Sequence, residues 1–310
     1  MAETPGKRIV VVGSSNTDLV VRCPRAPAAG ETVLGSGFFI SAGGKGANQA
    51  VAAARLGAEV WFVARVGDDL FGRQAIAGLT AEGVHCDFVA VDPTYPSGVA
   101  LIVLEEQGQN RIVVALGANE KLTAADVDKA GAIIASAGVL LVQLETPLET
   151  VFHAVAVAAK AGVPVILNPA PGRPLPAELL PLVSIITPNE SEAELLTGVR
   201  VSDGAHVREA AVRLHRTGVK NVIITLGAKG AFFFDGSDGV LVPGFPVKAV
   251  DTTAAGDAFN GALAVGLVRG LALPEAVRYA NAAAALAVQR LGAQPSLPRA
   301  AEVEAFLAGH

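Results

Sequence analysis

The run Asp251-Thr-Thr-Ala-Ala-Gly-Asp257-Ala-Phe-Asn260-Gly sets a carboxylate at the start of an apolar, Ala-rich helix. A glycine-containing turn there delivers Asp257 to the first helical turn. A helix N-terminus points free N–H groups outward and carries partial positive charge, which suits an anion such as a transferring phosphoryl group. A carboxylate among those N–H groups is placed to take a proton from an attacking hydroxyl. The alternative is structural, since Asp also caps helices with no chemistry attached.

A second run, Gly43-Gly44-Lys45-Gly46-Ala47-Asn48-Gln49, offers close backbone approach to a ligand together with two side-chain donors. It is neither a Walker A loop nor G-x-G-x-x-G, because Lys45 is followed by Gly46 and the upstream glycine is misplaced. A flexible turn with a solvated lysine is the other reading. Gly13-Ser-Ser-Asn16-Thr-Asp18 follows a strand-like run, and ligands gather at the carboxyl ends of strands in open α/β sheets. Asn16 and Asp18 there suit vicinal hydroxyls, or else form an Asx-type turn. Gln143-Leu-Glu145 ends another such run. Thr187-Pro-Asn189-Glu-Ser-Glu192 reads either as a cap with its third-position glutamate or as a pair orienting a metal-bound phosphate. Thr225-Leu-Gly227-Ala-Lys-Gly230 borders a nucleotide or simply joins two strands.

Composition narrows the class. Of 310 residues, 51% are apolar and only 5% aromatic, so Ala, Val and Leu supply the core, as in α/β proteins with close helix–sheet contacts. The net charge of −5 and the lack of a Lys/Arg tract argue against nucleic acid as partner, yet leave room for a phosphorylated ligand. Cys23 and Cys86 fit no metal or redox spacing, and the five histidines do not cluster. The first residues lack a signal peptide's apolar stretch, and no uncharged window reaches membrane-spanning length. The expectation is a reduced, cytoplasmic protein with no membrane partner.

The positioning elements follow from periodicity. Ile9–Val12, Val60–Ala64, Val139–Val142, Val163–Leu167, Ile185–Thr187 and Val222–Leu226 read as buried strands. Helical patterns lie near 46–57, 69–82, 124–137, 147–161, 190–197, 204–217, 257–270 and 275–290, with a capping box at Thr123 and Asp126. The alternation predicts an α/β fold: a doubly wound, mostly parallel sheet flanked by helices. Two stretches without helix break the rhythm. Val99–Leu104, a turn over 105–110 and Arg111–Ala115 form a hairpin pattern, and Pro24, Pro27 and Gly30 punctuate the other stretch. They predict a small, mainly antiparallel β-sheet lid, inserted at about 19–42 and 98–116 into a single domain over 1–310.

Together these runs resemble the ribokinase branch of the PfkB sugar kinases, over essentially the whole chain. The resemblance is carried by Asn16-Thr-Asp18, Gly43-Gly-Lys-Gly-Ala-Asn-Gln, Leu144-Glu145, Asn168-Pro-Ala-Pro, Thr187-Pro-Asn-Glu-x-Glu, Thr225-Leu-Gly, Asp251-Thr-x-Ala-Ala-Gly-Asp and Gly292-Ala-Gln-Pro-Ser296. It implies ATP-dependent phosphorylation of D-ribose at its 5-hydroxyl. Asp257 would be the base, and the N–H groups of Ala255, Gly256 and Asp257 the anion hole. Asn16, Asp18, Gly44, Lys45, Asn48 and Glu145 would hold the sugar hydroxyls. Asn189 and Glu192 would organise Mg²⁺ through water and phosphate. Thr225, Gly227, Gly230 and Asn281 would border the nucleotide. An activating K⁺ would lie at Asp251, Thr253, Ala287, Arg290, Gly292 and Ser296, mostly on backbone carbonyls. The resemblance also implies a homodimer through the lid. The rival readings are a sibling kinase acting on deoxyribose, a ketohexose or a nucleoside, a non-catalytic sugar sensor, and a dinucleotide oxidoreductase. The last lacks its glycine fingerprint after Val12.

Overall fold

The computed structural model describes residues 8–106 and 109–310. Its main sheet has nine strands, in the spatial order β13 (Val240–Pro243), β12 (Gly230–Phe234), β11 (Asn221–Thr225), β10 (Ile185–Ile186), β9 (Val165–Leu167), β8 (Val139–Val142), β1 (Arg8–Val12), β4 (Glu59–Gly67) and β5 (Val84–Asp92). All pairings are parallel except β11–β12 and β12–β13. The helices are α1 (Lys45–Arg55), α2 (Leu70–Ala81), α3 (Ala124–Lys129), α4 (Gly131–Ala135), α5 (Leu148–Lys160), α6 (Glu190–Thr197), α7 (Gly204–Arg216), α8 (Ala255–Val268), α9 (Leu273–Ala287) and α10 (Ala300–Ala308).

Side chains alternate across a strand, so each strand feeds two cores. Ile9, Val11, Phe62 and Leu141 turn to the face covered by α1, α8 and α9. Val10, Val12, Val63, Leu140 and Val142 turn to the opposite face, under α3 to α7. Burial on both faces is why these strands read as continuous apolar runs rather than alternating ones. The carboxyl ends of β1, β8, β9 and β10 deliver Gly13, Gln143, Asn168 and Thr187 to one edge of the sheet.

A second sheet has four strands in the order β3 (Gly37–Gly43), β2 (Asn16–Cys23), β6 (Gly98–Glu105), β7 (Asn110–Ala115). Its outer pairings are antiparallel hairpins, and its central pairing, β2 with β6, is parallel. A parallel pair needs a long crossover, supplied here by α1, β4, α2 and β5. Val20, Phe39, Ile102 and Ile112 line the cleft facing the main body. Gln107 and Gly108 of the expected hairpin turn, and residues 1–7, lie outside the described residues.

Local differences from the sequence reading have physical causes. Asn16-Thr-Asp18 is the start of β2 rather than an Asx turn, because Asn16 pairs with Gly43 on one side and Gly98 on the other. The helix expected over 124–137 breaks at Ala130, whose backbone leaves the helical region just before Gly131. β5 and β13 are sheet edges, exposed on part of their length, so their apolar signal is diluted.

Arg65 ties three of these elements together. Its guanidinium bonds Asp92 Oδ2 and Asp126 Oδ2, both at 2.8 Å. Burial alone would raise the Asp126 pKa, but hydrogen bonds from Arg65, Thr123 and Lys129 hold it at about 2, against an ordinary 3.8. A depressed carboxyl pKa adds stability that is full above its unfolded value and fades as pH falls toward the folded one. Asp126→Asn is therefore expected to lower the melting temperature at pH 7 by a few degrees and to flatten the stability–pH curve between about pH 4 and 2. Thermal denaturation across that range checks both effects.

Candidate active site

The glycine turn before α1 lets three backbones converge. A Cβ on Gly46 would stand 2.6 Å from Ser14 N, and one on Gly43 would stand 2.4 Å from Asp18 Oδ1. With hydrogen in those places, the end of β1, the start of β2 and the α1 N-terminus close on one another. Gly44 takes the N-cap position, and Ala47 N–H donates to Ser14 O at 2.8 Å. The Glu145 carboxylate sits on this helix end, accepting from Lys45 N–H at 3.0 Å and from Ser14 Oγ at 2.5 Å. Asn16 Oδ1 accepts from Asn119 Nδ2 at 2.8 Å.

Asp257 comes to the same place from α8. Asn48 Nδ2 and Gln49 Nε2 each donate to one of its carboxylate oxygens at 2.9 Å. Gln49 is held in turn by Asn168 and Gln143, at 3.0 and 2.6 Å. Burial pushes the Asp257 carboxyl up, and Lys45, Asn48 and Gln49 offset only part of that push. Burial works against the Lys45 charge, but Asp257, Glu145 and Glu192 outweigh it, so the ammonium is held more firmly than usual. Asp18 is raised to about 6, by burial first and then by Glu145 and Asp257. Asn48 Oδ1 is buried and has no partner among the described residues, which leaves an acceptor for a ligand donor.

The loop before α8 is strained. Ala254 has φ 58°, ψ 12°, the left-handed region, and it is the one non-glycine residue with positive φ among those described. Ala255 N–H makes a long 3.3 Å bond to Thr252 O. Among the described residues the N–H groups of Gly256 and Asp257 have no acceptor, and Gly256 is exposed. The loop carries an outward-facing pair of donors beside a buried carboxylate.

On the other side of this helix end lies a cavity of about 600 Å³. It is lined by Asn189, Thr225, Gly227, Gly230, Gly256 and Asn281, with Phe245, Val247 and Phe259 among its apolar walls. Asn281 spends its amide N–H bonds on Val242 O and Pro243 O, both at 3.1 Å. Asn189 and Glu192 form a reciprocal capping box at the start of α6, with bonds of 2.8 and 2.9 Å. Glu192 is nonetheless close enough to Lys45 for the two charges to interact.

The geometry thus brings together a buried, amide-bound carboxylate, backbone N–H groups without an acceptor among the described residues, and two adjoining cavities. The model of the pfkB family carbohydrate kinases matches residues 7–300. The chain belongs to this PfkB family. It is 45% identical over 301 residues to a ribokinase of Haemophilus influenzae, covering 97% of this chain and 98% of that one. It superposes with a TM-score of 0.90 and 38% identity on an Arabidopsis thaliana ribokinase complexed with ribose and ATP, covering 97% and 99% of the two chains. A candidate ribokinase II of E. coli, in complex with ATP and Mg²⁺, superposes with a TM-score of 0.82 at 26% identity, covering 98% and 99%.

In this PfkB chain the residues expected from sequence fall into three neighbouring groups. Asn16, Asp18, Gly44, Lys45, Asn48, Glu145 and Asp257 converge around the α1 and α8 N-termini. Asn189, Thr225, Gly227, Gly230 and Asn281 line the second cavity. Asp251 and Thr253 lie on the exposed side of the α8 loop, and Asp251 Oδ2 accepts from Gly292 N–H at 2.8 Å. Ala287 O accepts from Arg290 N–H at 3.1 Å, and the buried Ser296 hydroxyl donates to Ala293 O at 2.8 Å. Sequence reasoning assigned no role to Ser14, Gln49, Asn119, Gln143 and Asn168, which orient the Glu145, Asp257 and Asn16 side chains. For Gln49 the usable signal was a polar residue in the Ala/Val run that follows it, where only a partnered amide is tolerated.

A carboxyl held at about 6 when folded and 3.8 when unfolded binds more protons in the folded state, so it costs stability as pH rises through that interval. Asp18→Asn is thus expected to raise the melting temperature of the ligand-free protein at pH 7.5 and to give no such gain at pH 4. Thermal shift at the two pH values checks the difference.

Proposed function

We infer that the protein phosphorylates D-ribose at its 5-hydroxyl, using ATP. The observation that carries this reading is the position of Asp257: a buried carboxylate, oriented through both oxygens, next in sequence to Gly256, which lines the second cavity, on a loop whose Thr252 lines both. The sugar hydroxyls are gripped by Asn16, Asp18, Lys45, Asn48 and Glu145, with the backbone at Gly44 close behind. Asp257 takes the proton of the primary hydroxyl as its oxygen attacks the γ-phosphorus. The N–H groups of Ala255, Gly256 and Asp257 receive the charge that develops on the transferring phosphoryl group, the Ala255 donor by giving up its long bond to Thr252 O. Thr225, Gly227, Gly230 and Asn281 border the nucleotide.

Among the described residues no three His, Cys, Asp or Glu side chains form a cluster suited to a metal ion. Asn189, which lines the second cavity, and Glu192, bonded to it, would order the water shell of a Mg²⁺ carried by the triphosphate. When bound, Mg²⁺ neutralises charge on the phosphates. The carbonyl-rich turn over 287–296, bonded to Asp251, fits a large monovalent cation such as K⁺, which would stiffen the loop that carries the anion hole. The four-stranded sheet acts as a lid that closes over the sugar and keeps water from the phosphoryl group. Its outer face exposes Phe38, Val21, Leu101 and Val113, and a second copy of the chain covers them in a homodimer. With free Cys23 and Cys86 and ATP as phosphoryl donor, the protein works in the cytoplasm.

Asp257→Asn is expected to lower kcat about 10²- to 10⁴-fold while the circular dichroism spectrum and ADP affinity stay as in the unmutated protein. Turnover near the parental rate would remove Asp257 as the base. Replacing K⁺ by Na⁺ at constant ionic strength is expected to lower activity, and equal rates in the two salts would reject the cation assignment. A panel of ribose, deoxyribose, fructose and nucleosides at fixed ATP, Mg²⁺ and K⁺ tests the substrate, with ribose expected to give the highest kcat/KM.

A further inference from the structure

We propose that Arg55, at the far end of α1, is a positioning residue for the anion-binding loop over 251–257, acting through the turn over 292–297. The proposal rests on the kinase reading given above. Arg55 is ten residues from Lys45 along α1, about 15 Å at 1.5 Å per residue, and touches neither cavity.

Its guanidinium is largely buried and almost fully engaged. Nη1 donates to Gln294 O at 2.7 Å and to Leu297 O at 2.8 Å. Nε and Nη2 hold the Glu82 carboxylate at 2.9 and 2.6 Å. The two carbonyls flank Pro295 and Ser296, so one nitrogen grips both sides of one short turn while the Nε–Nη2 edge stays on Glu82. A planar guanidinium serves these four acceptors at once, more than the three N–H donors of a lysine reach.

The gripped turn passes the constraint onward. Gly292 N–H donates to Asp251 Oδ2 at 2.8 Å, and Asp251 Oδ1 accepts from Thr253 N–H and Oγ at 2.9 and 2.6 Å. Val250 and Asp251 N–H groups both donate to Val288 O, at 2.7 and 3.1 Å. The next residue after Thr253 is the left-handed Ala254, and α8 begins at Ala255. A strained backbone persists only where its surroundings over-determine it. Few apolar contacts hold this loop, since Thr252, Thr253 and Gly256 are exposed, so the hydrogen-bonded path supplies the restraint. Helix α1 thereby sets both halves of the centre: Asn48 and Gln49 at its start hold the Asp257 carboxylate, and Arg55 at its end holds the loop that aims the N–H donors.

Arg269 gives a matched control. Its Nη2 donates to Leu56 O at 2.6 Å and it stacks over Tyr279, so it braces the same end of α1, while none of its bonds reaches the 292–297 turn. The test is amide hydrogen exchange and steady-state kinetics on the whole protein, unmutated and as Arg55→Gln, Arg55→Lys and Arg269→Gln. For Arg55→Gln, exchange at the hydrogen-bonded amides of residues 250, 251, 253 and 255, and of 292, 296 and 297, is expected to rise about 10-fold while β8 is unchanged. Its kcat is expected to fall about 10-fold with ribose KM moving less than about 3-fold. Arg55→Lys recovers part of both effects, and carries the measurement if the glutamine variant does not fold. Arg269→Gln leaves the loop amides and kcat unchanged. Unaltered exchange at the bonded amides of 250–255 in both Arg55 variants, or an equal rise in Arg269→Gln, overturns the proposal. Absence of ribose-dependent ADP release from the unmutated protein would instead overturn the kinase reading, and the exchange data decide the coupling either way.

Discussion

Both oxygens of the Asp257 carboxylate are bound by amides from α1, and the arrangement of the site depends on that clamp. It requires α1 and α8 to run unusually close. A Cβ on Gly261 would stand 2.6 Å from the Ala52 Cβ, so a glycine facing an alanine permits the contact. With the helices this near, their N-termini open into the same space, and two sets of N–H donors act on one centre. The amides also make the buried charge tolerable, since an unpartnered carboxylate in that position would give up its ionised form.

This centre is crowded with negative charge. Asp257, Glu145 and Glu192 act on a single lysine, Asp18 feels Glu145 and Asp257, and burial pushes the Asp18, Asp257 and Glu192 carboxyls upward. A sugar supplies hydroxyl donors to such acceptors, and a divalent cation carried by a nucleotide would supply positive charge. Burying these carboxylates costs stability, a trade expected where groups are kept for something other than the fold. The strained Ala254 and the free Gly256 and Asp257 N–H groups follow the same logic on the anion side.

Much of the scaffold was legible because burial on both sheet faces forces continuous apolar runs, as in Ile9–Val12 and Val139–Val142. Edge strands such as β5 and β13 were not, since half-exposed residues do not need to be apolar. The motif residues around Lys45 and Asp257 were legible because glycine spacing and a carboxylate at a helix start carry chemical meaning by themselves. Gln49, Asn168 and Asn119 were not, because a side-chain amide leaves no local pattern; its role is set by what folds against it. The parallel pairing of β2 with β6 was likewise hidden, since more than 70 residues of chain separate the partners.

The order of chemical groups along the chain and the alternation of strands and helices are properties of the sequence alone, because periodicity and turn chemistry are local. Which carboxylates share one lysine, which carbonyls Arg55 grips, and which N–H groups remain free were decided only by tertiary structure. These are contacts between segments tens to hundreds of residues apart, and their energies depend on distances and burial that exist only once both helices have docked on the sheet.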